Sequence, residues 1–323
     1  PSSSPASAAA APAPLTAATY AALVSACSRL RSLPQGRRVH RHLVASSSSS
    51  PDAQLAGNTV LGNHLITMYG RCAAPDSARQ VFDEMPARNP VSWASVIAAH
   101  VQNGRAGDAL GLFSSMLRSG TAADQFALGS AVRACTELGD VGTGRQVHAH
   151  ALKSERGSDL IVQNALVTMY SKNGLVDDGF MLFERIKDKD LISWGSIIAG
   201  FAQQGFEMEA LQVFRKMIVE GSHHPNEFHF GSAFRACGAV GSWEYGEQIH
   251  GLSIKYRLDR DLYVGCSLSD MYARFKNLDS ARVAFYRIEA PDLVSWNSIV
   301  NAYSVEGLLS EALVLFSEMR DSG

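Results

Sequence analysis

Leu191–Asn226 reads LISWGSIIAGFAQQGFEMEALQVFRKMIVEGSHHPN. Trp194, Ile197, Ile198 and Phe201 fall at i, i+3, i+4 and i+7, which puts them on one face of a first helix. Gly205 interrupts that helix, and Ala210, Leu211, Phe214 and Met217 repeat the pattern on a second one, with Gly221 following as a C-terminal stop. The segment therefore predicts a helical hairpin. Neither helix can hide its apolar stripe alone, so stacking against neighbouring hairpins is what stabilises it.

The same words recur along the chain. SWGSIIAGF from Ser193 is matched by SWASVIAAH from Ser92 and SWNSIVNAY from Ser295, so Trp93, Trp194 and Trp296 lie 101 and 102 residues apart. MYGRC, MYSKN and MYARF place Tyr69, Tyr170 and Tyr272 at the same steps. VSAC, VRAC and FRAC place Cys27, Cys135 and Cys237 at steps of 108 and 102, the longer one reflecting an insertion in the first copy. A fixed long period marks a repeat architecture, here with three different helical hairpins per period. Each tryptophan is expected to anchor one helix face in one hairpin out of three.

Composition bounds the rest. A chain of 323 residues suggests about two globular domains, but a solenoid is one quasi-linear array of any length. Apolar residues make up 46% and charged ones 19%, and no apolar run approaches the ~20 residues that span a bilayer, so the chain reads as soluble, with no membrane partner. A net charge of -2 excludes a generic polyanion binder; nucleic-acid contacts must come from locally placed cations. Five cysteines without close pairs give no disulfide framework and fit a reducing compartment.

Residues 1–16, PSSSPASAAAAPAPLT, form a tract that cannot bury a core. Rich in Ser and free of acidic residues, it resembles an organellar transit-peptide remnant, although it lacks the arginines such leaders carry. The chain does not begin with Met, so a longer protein is expected. Ala45–Pro51, ASSSSSP, reads as a loop insertion in the first repeat.

Three segments carry a family resemblance: VQNALVTMYSKNGLVDDGFMLFERIKDKD, LISWGSIIAGFAQQGFEMEALQVFRKM and FGSAFRACGAVGSWEYGEQIHGLSIKYRLDRD. They resemble the S-, P- and L-type units of the plant pentatricopeptide repeat family, in its PLS subfamily. On that resemblance repeats fall at 17–58 (L), 59–89 (S), 90–124 (P), 125–159 (L), 160–190 (S), 191–226 (P), 227–261 (L), 262–292 (S) and 293–323 (P, cut short). The implied fold is all-α, a right-handed α-solenoid superhelix over 17–323. The 31-residue S units distinguish it from tetratricopeptide arrays, whose period is uniform.

The resemblance implies a reader of single-stranded organellar RNA, one nucleotide per repeat. In this family the fifth and last residues of a repeat choose the base, on an exposed concave face. By position these are Asn63 with Asn89, Ala94 with Asp124, Gly129 with Asp159, Asn164 with Asp190, Gly195 with Asn226, Gly231 with Asp261, Cys266 with Asp292, and Asn297 without a partner. The first repeat gives Ala21 with Asn58. Family habits imply C for Asn63/Asn89, U for Asn164/Asp190, A for Gly195/Asn226 and G for Ala94/Asp124; Cys266 departs from the usual Asn. Each last-position Asp or Asn has an alternative role as the cap of the following helix.

Arg71, Lys172 and Arg274 are the thirteenth residues of the S repeats, placed either to meet phosphates or to complement a helix C-terminus. His40, His148 and His250 recur in the L repeats, and His40/His42 and His148/His150 form HxH pairs. Helical residues two apart do not share a face, so a structural role is expected and no metal site. Cys27, Cys135 and Cys237 are expected as small core residues. His223 and His224 lie in a lengthened loop where a surface metal site has little support.

No catalytic constellation appears: the chain has neither the HxE and PCxxC of zinc deaminases nor a GxxxxGK[ST] loop. The expectation is a non-enzyme without cofactor. Because P, L and S triplets belong to organellar editing factors, the resemblance implies guidance of C-to-U RNA editing in the mitochondrion or chloroplast. The deaminase, or other editing-complex proteins, would be partners or a C-terminal extension. The alternatives are an RNA-binding factor for splicing, stability or translation, and a protein-binding helical scaffold.

Overall fold

The computed structural model describes residues 15–49, 57–220 and 223–322, and among them there are eighteen helices and no strand. Residues 1–140 form one unit, with α1 (Ala17–Arg29), α2 (Leu33–Ser49), α3 (Thr59–Arg71), α4 (Pro75–Glu84), α5 (Pro90–Gln102), α6 (Ala106–Arg118) and α7 (Gln125–Leu138). Residues 141–323 form a second. It begins with α8 (Val141–Lys153), α9 (Leu160–Lys172), α10 (Val176–Arg185), α11 (Leu191–Gln203), α12 (Glu207–Glu220) and α13 (Glu227–Val240). It continues with α14 (Trp243–Lys255), α15 (Leu262–Arg274), α16 (Leu278–Tyr286), α17 (Leu293–Val305) and α18 (Leu309–Asp321). Within each unit, consecutive helices pack as hairpins and each odd-numbered helix also packs on the next odd-numbered one. The leader over 1–14, the end of the Ser-rich tract and the Gly221 stop lie outside the described residues. Ala45–Ser49, expected as loop, instead continues α2, since serine there extends a turn already nucleated by an amphipathic helix.

Local chemistry sets both ends of the first helix in each hairpin. A residue just beyond that helix, two places on in seven hairpins and directly after α7 and α13, lies in the left-handed region: Arg31, Ala73, Gly104, Gly139, Gly174, Gly205, Gly241, Lys276 and Gly307 all have positive φ. Glycine takes this conformation without penalty, so six of these nine positions reverse the chain freely, while Arg31, Ala73 and Lys276 do so with a Cβ in place. The next N–H then closes back five residues, as from Leu175 to the Tyr170 carbonyl and from Phe206 to the Phe201 carbonyl, satisfying the C-terminal carbonyls of the helix.

The stripes read from the sequence are the core. Trp194, Ile197, Ile198, Phe201, Ala210, Leu211, Phe214 and Met217 are all buried. Cys27, Cys135 and Cys237 are buried as well, and burial pushes the Cys135 thiol up to about 11 and that of Cys237 up to about 12. Each recurrent tryptophan meets a phenylalanine of the preceding hairpin edge-on: Phe82 with Trp93, Phe183 with Trp194 and Phe285 with Trp296, at centroid distances of 4.6, 5.0 and 4.6 Å.

The recurrent histidines join successive hairpins. His40, His148 and His250 are hydrogen-bonded through Nδ1 to the hydroxyls of Tyr69, Tyr170 and Tyr272 at 2.9, 3.1 and 2.8 Å, each pair also edge-on. Burial lowers the pKa of all three imidazoles and raises that of all three phenols. Both HxH motifs thus use their first histidine structurally. No helix among the described residues is long and apolar enough to cross a membrane.

Candidate nucleic-acid interface

The last residue of each expected repeat is the N-cap of the next odd-numbered helix. The side chains of Asn58, Asn89, Asp124, Asp159, Asp190, Asn226, Asp261 and Asp292 all accept a backbone N–H from the first turn that follows. Capping is therefore real at all eight. It also fixes the side-chain position.

In the two S repeats that carry Asn at the fifth position, cap and fifth residue touch. Asn63 Nδ2 donates to Asn89 Oδ1 at 3.5 Å, and Asn164 Nδ2 donates to Asp190 Oδ1 at 3.0 Å. The second pair is extended by Ser193, whose hydroxyl lies 2.7 Å from Asn164 Oδ1 and 2.9 Å from Asp190 Oδ1. Burial pushes the Asp190 carboxyl up, but hydrogen bonds from Ser193, Asn164 and Ile192 outweigh it and the net pKa is lowered. Asn164 is only 6% exposed, a correction to the expected exposed position: Asp190 and Ser193 enclose the amide from the next hairpin. Asn63 has no equivalent third partner, and its Oδ1 is buried without a hydrogen bond among the described residues.

The remaining positions differ. Ala94 and Asp124 line a cleft of about 300 Å³ with Thr67, Val91, Ala98 and Phe126. Gly195 and Asn226 line one of about 500 Å³ with Ile192, Lys172, Phe228 and Arg235. Both lie within the size range of small-ligand clefts. Asn226 is engaged by the His229 ring in a capping box, and His229 Nε2 lies 3.0 Å from the Leu191 carbonyl; burial lowers the pKa of this imidazole. Cys266 is half-buried, and burial with the nearby Asp292 carboxylate pushes its thiol up to about 11, a poor nucleophile. Gly129 is buried in α7 and Asp159 caps α9; Gly231 is buried in α13 beneath Tyr263; Asn297 is exposed on α17.

Arg71, Lys172 and Arg274 are exposed in the last turns of α3, α9 and α15. Arg274 is paired with Asp270 at 2.9 Å, whereas Lys172 reaches the larger cleft.

One set of residues escaped the sequence reading. The second residue of eight odd-numbered helices is apolar yet exposed: Val60, Val91, Phe126, Ile161, Ile192, Phe228, Tyr263 and Val294, between 38 and 72%. Val91 and Phe126 wall the smaller cleft, and Ile192, Phe228 and Tyr263 wall the larger. The signal was present in VSW, ISW and VSW, where the apolar residue faces out while Ser92, Ser193 and Ser295 are buried.

The model for the PPR repeat matches residues 63–89, 91–121, 164–191, 192–222 and 294–323. A mitochondrial pentatricopeptide repeat-containing protein of Arabidopsis thaliana is 47% identical over 305 residues, covering 94% of this chain and 39% of that protein. A chloroplastic one from the same plant is 32% identical over 305 residues, covering 94% and 48%. The chain thus spans less than half the length of these relatives. The crystal structure of the pentatricopeptide repeat protein PPR10 in complex with an 18-nt psaJ RNA element superposes with a TM-score of 0.72 at 17% identity, covering 94% of this chain and 45% of that one, a likeness of fold. Matched repeats, relatives and fold agree that these hairpins are pentatricopeptide repeats, and the chain belongs to the pentatricopeptide repeat family.

Proposed function

We propose that this chain binds single-stranded RNA sequence-selectively, one nucleotide per repeat. The observation that carries the reading is the pairing of fifth and last residues, Asn63 with Asn89 and Asn164 with Asp190, beside exposed apolar second residues. A base laid against the apolar residue presents its edge to the polar pair, which is how aromatic or apolar platforms and side-chain amides divide affinity from selectivity. Asn63 Oδ1 is buried without a hydrogen bond among the described residues, so a turn of the Asn63 side chain is what would offer it to an exocyclic amine such as that of C. PPR10, whose structure contains RNA, supports the same partner class.

Selection from a randomised RNA pool tests this. Enrichment is expected for C at repeat 59–89, G at 90–124, U at 160–190 and A at 191–226. A flat pool, or a peptide pull-down with no RNA retained, refutes it. The triplet order further supports a PLS array that guides C-to-U editing in a plant mitochondrion or chloroplast, the two organelles named for its relatives. The deaminase chemistry then belongs to a segment or partner outside this chain, and editing by extracts with and without the protein tests that step.

A further inference from the structure

Resting on the RNA-binding reading, we infer that the first hairpin carries a second RNA contact: an arginine track, Arg31, Arg37, Arg38 and Arg41, that holds phosphates of RNA outside the base-read stretch. Residues 30–51 contain these four arginines and no acidic residue, and the first carboxylate of the chain is Asp52. All four side chains are exposed, and among the described residues none of them forms an ion pair or a hydrogen bond. Glu84, the carboxylate that acts on His40, accepts from Gln80 Nε2 at 2.8 Å and pairs with none of the four. On α2, Arg37 and Arg38 lie four and three residues before Arg41, so the three guanidinium groups share one helix face.

The hairpin fold does not require this charge. In the two later L hairpins the same places hold Arg145, Gln146 and Ala149 on α8, and Glu247, Gln248 and Gly251 on α14. Arg145 is neutralised by Asp178 at 3.6 Å, whereas the first triplet has Ser77 at the place of that carboxylate, which leaves Arg37 without a counterpart. Arg31 holds a left-handed turn, φ 50°, where its counterparts are Gly139 and Gly241, so an arginine stands at a position that favours glycine. Four unneutralised like charges on one hairpin repel each other and attract a polyanion, a local field in a chain of net charge -2. Guanidinium groups match phosphate oxygens bidentately. Because α2 carries none of the fifth or last residues, contact there adds affinity without reading a base.

The experiment uses the whole chain and two RNAs, the winner of the preceding selection and the same RNA lengthened at both ends with unselected uridines. Wild type should bind the longer RNA more tightly. The triple variant Arg37→Gln, Arg38→Gln, Arg41→Gln should lose that gain and keep its base preference at repeat 160–190. With one phosphate per arginine, the slope of log affinity against log salt becomes shallower by about 2, so an about fourfold rise in salt costs wild type about twentyfold more than the variant. Lysine at the same three positions keeps the charge and should keep most of the slope, which separates charge from any change in fold. Equal salt slopes in wild type and the glutamine variant, or equal wild-type affinity for the two RNAs, overturns this inference alone. Arginine-dependent binding to phosphatidylserine vesicles with RNA affinity unchanged in the variant does the same. Failure of wild type to bind either RNA overturns the broader reading and this one together.

Discussion

Asn164→Ala removes one amide from a three-residue network, and its effect can be worked out bond by bond. The amide donates to the Asp190 carboxylate at 3.0 Å and accepts from the Ser193 hydroxyl at 2.7 Å. A hydrogen bond to a charged group contributes about 1.5–3 kcal/mol and a neutral one about 0.5–1.5. Ser193 is not orphaned by the substitution, because its hydroxyl keeps Asp190 Oδ1 at 2.9 Å, and the half-buried carboxylate is partly screened. The expected loss is therefore about 2 kcal/mol, well above the ~0.5 kcal/mol of an ordinary surface change. Urea denaturation followed by circular dichroism measures it, and a double-mutant cycle with Asp190→Asn should return a coupling of about 1 kcal/mol. In the RNA selection, Asn164→Ala should erase the U preference at repeat 160–190, and Asn164→Thr should move it toward G. A midpoint unchanged in Asn164→Ala would refute the network and make Asn164 a solvated side chain.

Three other outcomes are expected. The lowered pKa of His40, His148 and His250 means that the unfolded chain binds more protons, so stability is full above about pH 6.5 and is lost as pH falls below it; melting temperatures between pH 8 and 5 should show this, and His250→Gln should reduce the slope. Lys276→Gly relieves a left-handed residue in an exposed turn and should raise stability by about 0.5–1 kcal/mol in the same denaturation assay, since the relief of roughly 1–2 kcal/mol exceeds the entropy lost. Trp194→Ala empties a site that is 1% exposed against Phe183 and should destabilise by about 3–5 kcal/mol, with a lower urea midpoint.

The helical hairpins were legible because two independent signals coincide in six of the nine: a 3.6-residue apolar stripe such as Trp194, Ile197, Ile198 and Phe201, and a glycine such as Gly205 just beyond it; Arg31, Ala73 and Lys276 take the glycine's place in the other three. The histidines were legible as structural from their spacing, but their tyrosine partners were not. His250 and Tyr272 are 22 residues apart, and only the packing of α14 against α15 brings them together. At the interface, hydropathy misleads in both directions. Ser193 is buried because it completes the capping box of its own helix, while Ile192 beside it is exposed because it faces the open cleft of about 500 Å³. Asn164 looked like a surface amide for the same reason, its enclosure depending on residues 26 and 29 positions later.

The histidine–tyrosine joints bear on how such an array can lengthen or shorten over generations. His148 is matched to Tyr170 because an L hairpin precedes an S hairpin; splicing residue 159 directly to 191 would present His148 with Phe201, which has no hydroxyl to offer the imidazole. Removing or copying a block of 101 or 102 residues, by contrast, restores every junction with its original neighbour type. Genetic duplication in whole triplets is thereby the route that leaves each joint intact, and under the proposed reading of one nucleotide per repeat the recognition register of a descendant would grow in steps of three nucleotides.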